Sequence, residues 1–268
     1  MDFTAIGDPF RPLEPYLLAS AFALARMLAM MTVFPVFDRL GVTGIVRNGI
    51  ALALSVPIIP LIADHLGREQ LSLGLMAALL LKEATVGLLV GVVLGVPLFA
   101  AEVAGDVVDL QRGSSSASLV DPIGSIQANI SGTLLALIII ALYFGSGCFD
   151  LTMQAIYDSY GIWPVRSFLP LFNREAGDLL LHVVDSMVAT GLMLVGPIVV
   201  CLLLVDLLLA LIARAAPSLQ PFYLSLTLKN LVFSLVLVLY CVFLIGYMQN
   251  SLAAFLDTKA KLETFAPR

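Results

Sequence analysis

The stretch VVDLQRGSSSASLVDPIGSIQANI, residues 107–130, lies between two long apolar segments and resembles neither of them. It holds Gln111, Arg112, Gly113, five serines and Pro122. Glycine raises the entropy cost of helix formation, serine competes for backbone hydrogen bonds, and proline removes a donor, so the flanking helices cannot continue through it as one. A polar interruption in the middle of hydrophobic sequence needs a physical reason.

Around that stretch, the chain of 268 residues is 60% hydrophobic and only 12% charged, with a mean hydropathy of +1.02. Ordinary soluble domains are far less apolar, which places the chain in the integral membrane class. Its net charge of −5 carries no run of like charge, so electrostatics gives no ground to expect nucleic acid or anionic lipid as the main partner. A membrane span needs roughly 20 apolar residues. Segments 16–37, 44–63, 71–108, 130–157, 179–213 and 231–256 approach or exceed that length, and the third suits either two helices or one very long one. The N-terminus MDFTAIGDPFRPLEP has no basic start or small-residue cleavage site, so it is expected to be retained. Cys148, Cys201 and Cys241 lie far apart in apolar segments and read as small buried hydrophobes.

Six spans would place Arg39, Arg47, Arg112, Arg214 and Lys229 on one side, and Arg11, Arg68, Arg166, Arg174, Lys259, Lys261 and Arg268 on the other. That distribution sets no orientation by the positive-inside rule. The apolar segments also carry Arg26, Lys82, Glu83, Glu102, Asp106, Asp150, Asp185 and Asp206. Each would cost roughly 2.5–3.5 kcal/mol facing lipid at mid-depth, so they are expected to face protein, water or one another. Arg26, Lys82, Glu83, Glu102, Asp106, Asp109, Asp206, Arg214 and Lys229 are accordingly taken as buried polar residues that serve assembly.

Glu102, Asp106 and Asp109 share one helix face through their i, i+4, i+7 spacing. They read either as the solvated end of a long helix or as a polar face meeting a conduit or a basic partner, with Arg26 and Arg112 as in-chain cations. Lys82 and Glu83 are neighbours whose side chains leave a helix about 100° apart. They are expected to meet different groups, Glu83 finding its cation elsewhere in a complex. Pro35, Pro57, Pro60, Pro97, Pro164, Pro170, Pro197, Pro217 and Pro221 punctuate the apolar runs. Helices broken at membrane depth require neighbouring protein or a water-filled cavity.

Catalytic chemistry has no pattern to rest on. His65 and His182 stand far apart, and no HExxH, CxxC, G-x-S-x-G or glycine-rich phosphate loop occurs. No enzyme, cofactor or metal site is expected. Met27, Met30 and Met31 recur at helical spacing and read as core.

The blocks LARMLAMMTVFPVF (24–37), KEATVGLLVGVVLGVPLFAAEVAGDVVDLQRGSSSASLVDP (82–122), FGSGCFDLTMQAIYDSYGIWPV (144–165) and RAAPSLQPFYLSLTLKNLVF (214–233) resemble, in order, those of one family. It is the T component of the type III secretion export apparatus, the SctT/FliR family. The pattern K-E-x-x-x-G-x-x-x-G, then A-G-x-x-x-D-x-Q-R-G, then D-P falls on Lys82, Glu83, Gly87, Gly91, Ala104, Gly105, Asp109, Gln111, Arg112, Gly113, Asp121 and Pro122. S-Y-x-x-W-P falls on Tyr160, Trp163 and Pro164, and the last block matches at Arg214, Pro217, Phe222 and Lys229. Ser218 and Gln220 depart from the expected Gln and Asn, and Pro221 is expected to add a kink. The Q-R-G form and the S-Y-x-x-W-P block are closer to the injectisome than to the flagellar members.

The resemblance implies an all-α, hydrophobic subunit of a membrane complex with broken, obliquely stacked helices. After an N-terminal segment 1–15, the export-gate domain 16–268 would divide into an R-like part (16–178) and an S-like helical hairpin part (179–268). It implies R and S subunits as partners in a helical pore, a U-type switch protein and a V-type export gate beside it, membrane lipid around it, and unfolded substrates in transit. It places the chain in the bacterial inner membrane. Within the polar stretch 110–130, Gln111, Arg112, Gly113, Ser114, Ser115, Ser116, Ser118, Asp121 and Pro122 would form a loop that plugs the channel, small residues packing compactly and moving aside at little cost. Two other readings remain: a secondary transporter with a broken-helix site at 110–130 and Asp106 or Asp206 as proton relay, and a scaffold without a pore.

Overall fold

The computed structural model describes residues 13–66, 72–113, 130–167, 174–215 and 221–256, and every regular element among them is a helix. In chain order the α-helices are α1 (Glu14–Val33), α2 (Pro35–Arg39), α3 (Gly44–Ser55), α4 (Ile59–Leu66), α5 (Leu73–Arg112), α6 (Ile130–Gly145), α7 (Cys148–Ile162), α8 (Arg174–Ala215) and α9 (Pro221–Leu256), with a 3-10 turn, Val56–Ile58, between α3 and α4. Five stretches are long and apolar enough to cross a membrane: Pro15–Val33, Gly44–Asp64, Leu73–Arg112, Val184–Ala215 and Leu224–Asn250.

The prolines act in several ways. Pro15 lies in the first turn of α1 and Pro35 opens α2, positions where a missing N–H costs nothing. Phe34, just before Pro35, takes the extended backbone (ψ 113°) that a following proline imposes, and this ends α1. Pro221 begins α9 rather than kinking it, for the same first-turn reason. Pro97 and Pro197 lie inside α5 and α8 without ending them.

The third apolar segment is one helix of 40 residues. At 1.5 Å per residue it is about 60 Å long, roughly twice the hydrocarbon thickness, so it cannot stand upright within that layer alone. Segment 130–157, expected as one span, is instead divided between α6 and α7. The break falls at Gly145-Ser146-Gly147, where Gly147 takes φ 71°, a left-handed conformation that side chains resist.

The chain forms two compact units. The first combines residues up to Gly95 with Phe149–Leu180. In it α1 packs against α3 and α4. Ala19, Phe22, Ala23, Arg26, Met27, Met30 and Met31 are all at most 1% exposed, a stripe with helical period that includes the three methionines read as core. Gly87 of α5 lies against the carbonyl of Arg26, where a Cβ would overlap it. Apolar helices in lipid gain little from burial alone, so such backbone approach supplies packing that larger residues would prevent.

The second unit combines Val96–Cys148 with Leu181–Phe255. Gly105 of α5 faces Gly132 of α6 so closely that a Cβ on Gly105 would overlap the Gly132 Cα. Gly191 of α8 faces the carbonyl of Ala100 with similar lack of space. Gly105→Ala should therefore destabilise the folded protein by about 1–3 kcal/mol through overpacking. Gly161→Ala, where a Cβ meets open space, should stay within about 0.5 kcal/mol. Thermal unfolding of the detergent-solubilised proteins compares them; equal midpoints would contradict the close α5–α6 contact.

Candidate functional site

Two polar clusters interrupt this apolar fold, one in each unit. In the first, Arg26 of α1 and Glu83 of α5 are 1% and 0% exposed. Arg26 Nε donates to Glu83 Oε2 at 2.7 Å, and its Nη2 lies 2.7 Å from the same oxygen. Arg26 also donates to Ser159 Oγ at 2.8 Å and to the Trp163 carbonyl at 2.9 Å, with its guanidinium 3.8 Å from the centroid of the Tyr160 ring. Lys82 Nζ stands 2.6 Å from Glu83 Oε1 and donates to the carbonyls of Pro164 at 2.9 Å and Val165 at 3.0 Å.

Two cations thus share one carboxylate, and the surplus positive charge faces carbonyl oxygens just beyond the end of α7. A helix leaves its last carbonyls without partners and its C-terminus partially negative. Arg26, on the Trp163 carbonyl, and Lys82, on the two carbonyls that follow, both place positive charge at this negative end. The Tyr160 hydroxyl donates to the Ala23 carbonyl at 3.4 Å, a second tie between α7 and α1.

The expectation that Lys82 and Glu83 meet different groups is corrected here. The two do diverge from the backbone, but the four-carbon lysine stem is long enough to bring its ammonium back to the carboxylate. A further cation for Glu83 is Arg26 of the same chain.

The second cluster gathers where α5 ends and α6 begins. Gly113 takes φ 75° and closes α5. Asp109, 3% exposed, accepts from the backbone N–H of Ser131 at 2.9 Å, which caps the first turn of α6. Arg112 Nη1 lies 3.3 Å from Asp109 Oδ1 and donates to Ser131 Oγ at 2.7 Å. Its Nε and Nη2 donate to Asn230 Oδ1 at 2.9 and 2.8 Å, and its guanidinium lies 4.3 Å from the Phe233 ring centroid. Lys229 Nζ donates to the Gln111 carbonyl at 2.9 Å and lies 2.7 Å from Asp206 Oδ1. Gln111 Nε2 donates to Asp206 Oδ2 at 3.3 Å.

Gln111, Arg112, Asp109, Asp206 and Lys229, singled out in the sequence, are brought together here. Ser114, Ser115, Ser116, Ser118, Asp121 and Pro122 lie outside the described residues. Within this chain alone, the residues expected to be buried in an assembly differ in how far they are covered. Glu102 and Asp106 are only partly buried, the Asp206 side chain is 39% exposed and Arg214 is exposed, whereas the Lys229 side chain is mostly covered. Apolar residues surround α8 in sequence, so hydropathy alone could not tell its covered face from its open one. Arg214 sits in the last turn of α8, where an exposed cation is favourable. Of the acid stripe, Asp109 is the buried member and Arg112 its cation, whereas Arg26 is committed to Glu83. Ser131, Ser159, Asn230 and Phe233 were not singled out; Ser159 begins the S-Y-x-x-W-P block and Asn230 follows the L-K pair, which was the available signal.

Glu83→Gln would leave Arg26 and Lys82 buried without a counter-charge. Breaking a buried pair by removing one partner costs about 3–5 kcal/mol, so the variant should lose most of its folded yield and thermal resistance. Wild-type melting for Glu83→Gln would contradict the ion cluster.

The family described as bacterial export proteins, family 1, matches residues 17–255. The Yop proteins translocation protein T of Yersinia pestis is 34% identical over 92% of this chain and 93% of its own length. The secretion system apparatus protein SsaT of Salmonella typhimurium is 26% identical over 84% of this chain and 87% of its own. The flagellar biosynthetic protein FliR of Bacillus subtilis is 27% identical over 91% and 95%. With the match covering both units and both clusters, this chain belongs to the bacterial export proteins of family 1.

Proposed function

We propose that this chain is the T subunit of a type III secretion export gate in its injectisome form, embedded in the bacterial inner membrane. It acts with R and S subunits to build the channel through which unfolded substrates leave, beside a U-type switch protein and a V-type export gate. The observation that carries this reading is the 34% identity to a translocation protein T along 92% of the chain. The two clusters support it: residues of the first three sequence blocks, Arg26, Lys82, Glu83 and Trp163, meet in one site, and those of the last block, Lys229 and Asn230, meet the Q-R-G block in the other.

Exposed apolar surface supports membership of a complex. Leu235, Val238, Leu239, Val242 and Phe243 of α9 are 60–77% exposed, which lipid or other subunits must cover. No enzymatic step belongs to this reading; other components supply the energy. The Q-R-G stretch and the serines after it, residues 111–122, form the plug of the resting channel.

Deleting Ser114–Ser118 tests the plug. Small polar loop residues contribute little to core packing, so complexes should assemble in normal yield while leaking small solutes across the inner membrane. Arg112→Ala should leak in the same direction and more weakly. A normal complex without added leak would contradict the plug, and purification of the wild-type chain without R-like and S-like subunits would contradict the assignment itself.

A further inference from the structure

Most of α9 lies in a stretch apolar enough to cross a membrane, Leu224–Asn250, yet its exposed side is not uniformly apolar. Asn230, inside that stretch, is exposed, and so are Thr227 and Ser234 one turn to either side. Residues three and four apart are neighbours on a helix surface, so the three share one flank. Leu231, Leu235, Val238 and Val242, 65%, 60%, 75% and 77% exposed, run alongside at i, i+4, i+7 and i+11.

The contact with Arg112 fixes which way the Asn230 amide is turned. A guanidinium only donates, so the atom that receives its Nε and Nη2 hydrogens at 2.9 and 2.8 Å must be the oxygen. The NH2 group occupies the other arm of the amide. Among the described residues, no acceptor of this chain takes either of its N–H groups. Ser234 donates its hydroxyl to the Asn230 carbonyl at 3.0 Å and keeps its oxygen lone pairs for another donor. Nearby, Arg112 and Lys229 stand against Asp109 and Asp206, so the charges already balance and the unmet demand on this flank is a neutral one. Hydrocarbon offers no acceptor, so lipid tails would leave both N–H groups unpaired at high cost. A second helix can supply one: in membranes Ser, Thr and Asn bond across helix pairs, and small side chains let the backbones approach. Exposed apolar residues at helical spacing are what such a helix packs on.

We infer that the flank of α9 formed by Thr227, Asn230 and Ser234, with Leu231, Leu235 and Val238 beside it, docks an apolar helix of another protein chain. That helix presents a neutral oxygen acceptor, an amide or a hydroxyl, to the Asn230 NH2 group. The inference rests on the reading of this chain as a subunit of a membrane complex, and not on the plug.

Two substitutions separate this contact from folding. Asn230→Asp keeps an oxygen for Arg112 but replaces the NH2 group with a second oxygen, which repels the partner's acceptor. Val238→Trp puts bulk where a helix would pack, at a position 75% exposed in this chain, whereas fluid lipid tails give way around it. Membranes from cells that make the whole apparatus are solubilised in mild detergent, the ratio of assembled to free chain is read on native gels, and thermal unfolding is measured on the purified chain. Asn230→Asp should shift the ratio toward free chain about three- to tenfold, the range expected for one interhelical hydrogen bond. Val238→Trp should shift it at least as far, and neither variant should melt below wild type. Wild-type ratios for both would overturn the contact and leave the flank to lipid, while the reading as a subunit stands. A shift in one variant only, with both melting like wild type, would also overturn the contact as drawn. If the wild-type chain is itself found only free, the subunit reading falls and the contact with it. Should Asn230→Asp melt below wild type, Val238→Trp decides: a shifted ratio at wild-type melting supports the docked helix, and an unshifted ratio overturns it.

Discussion

A carboxylate with no exposed surface, Glu83, is held between two cations in a mostly apolar core. Charge is so costly in such surroundings that the groups must stay together once they meet. Because Arg26 comes from α1, Lys82 and Glu83 from α5, and the receiving carbonyls from the end of α7, one electrostatic requirement sets the register of three segments. Gly87, one turn from Glu83, completes the arrangement by letting α5 approach the backbone of α1.

Both clusters use the same chemistry at a helix C-terminus. Arg26 and Lys82 face carbonyls just past α7, and Lys229 faces the Gln111 carbonyl at the end of α5. They differ in how far solvent reaches them. The first is sealed from solvent and built on a full ion pair; the second is partly open, and one of its acceptors is a neutral amide.

Much of the fold was legible in the sequence because length and hydropathy are additive properties. The length of the run 71–108 suited either two helices or one very long one, and α5 is the latter. The methionine stripe at 27, 30 and 31 was readable from its period. The break between α6 and α7 was not read, since Gly145-Ser146-Gly147 is brief and its neighbours are apolar enough to carry a helix across. The Lys82–Glu83 contact was missed because an angular argument about Cβ directions ignores the reach of long side chains. Asp206 and Arg214 were read as buried because hydropathy cannot distinguish a face covered by this chain from one left open. Ser131 and Asn230 escaped notice as isolated polar residues whose meaning lies in contacts 22 and 118 residues away.

The most direct test of the buried ion cluster is a double-mutant cycle between Arg26→Met and Glu83→Leu, read by thermal unfolding of the detergent-solubilised protein. Glu83→Leu leaves two buried cations without a counter-charge and should destabilise by about 3–5 kcal/mol, whereas Arg26→Met leaves Glu83 its Lys82 partner and should cost less. Groups in contact couple, so the double variant should lose much less than the sum of the two single losses. Losses that simply add would contradict the claim that these two residues are held to each other and fix α1 against α5.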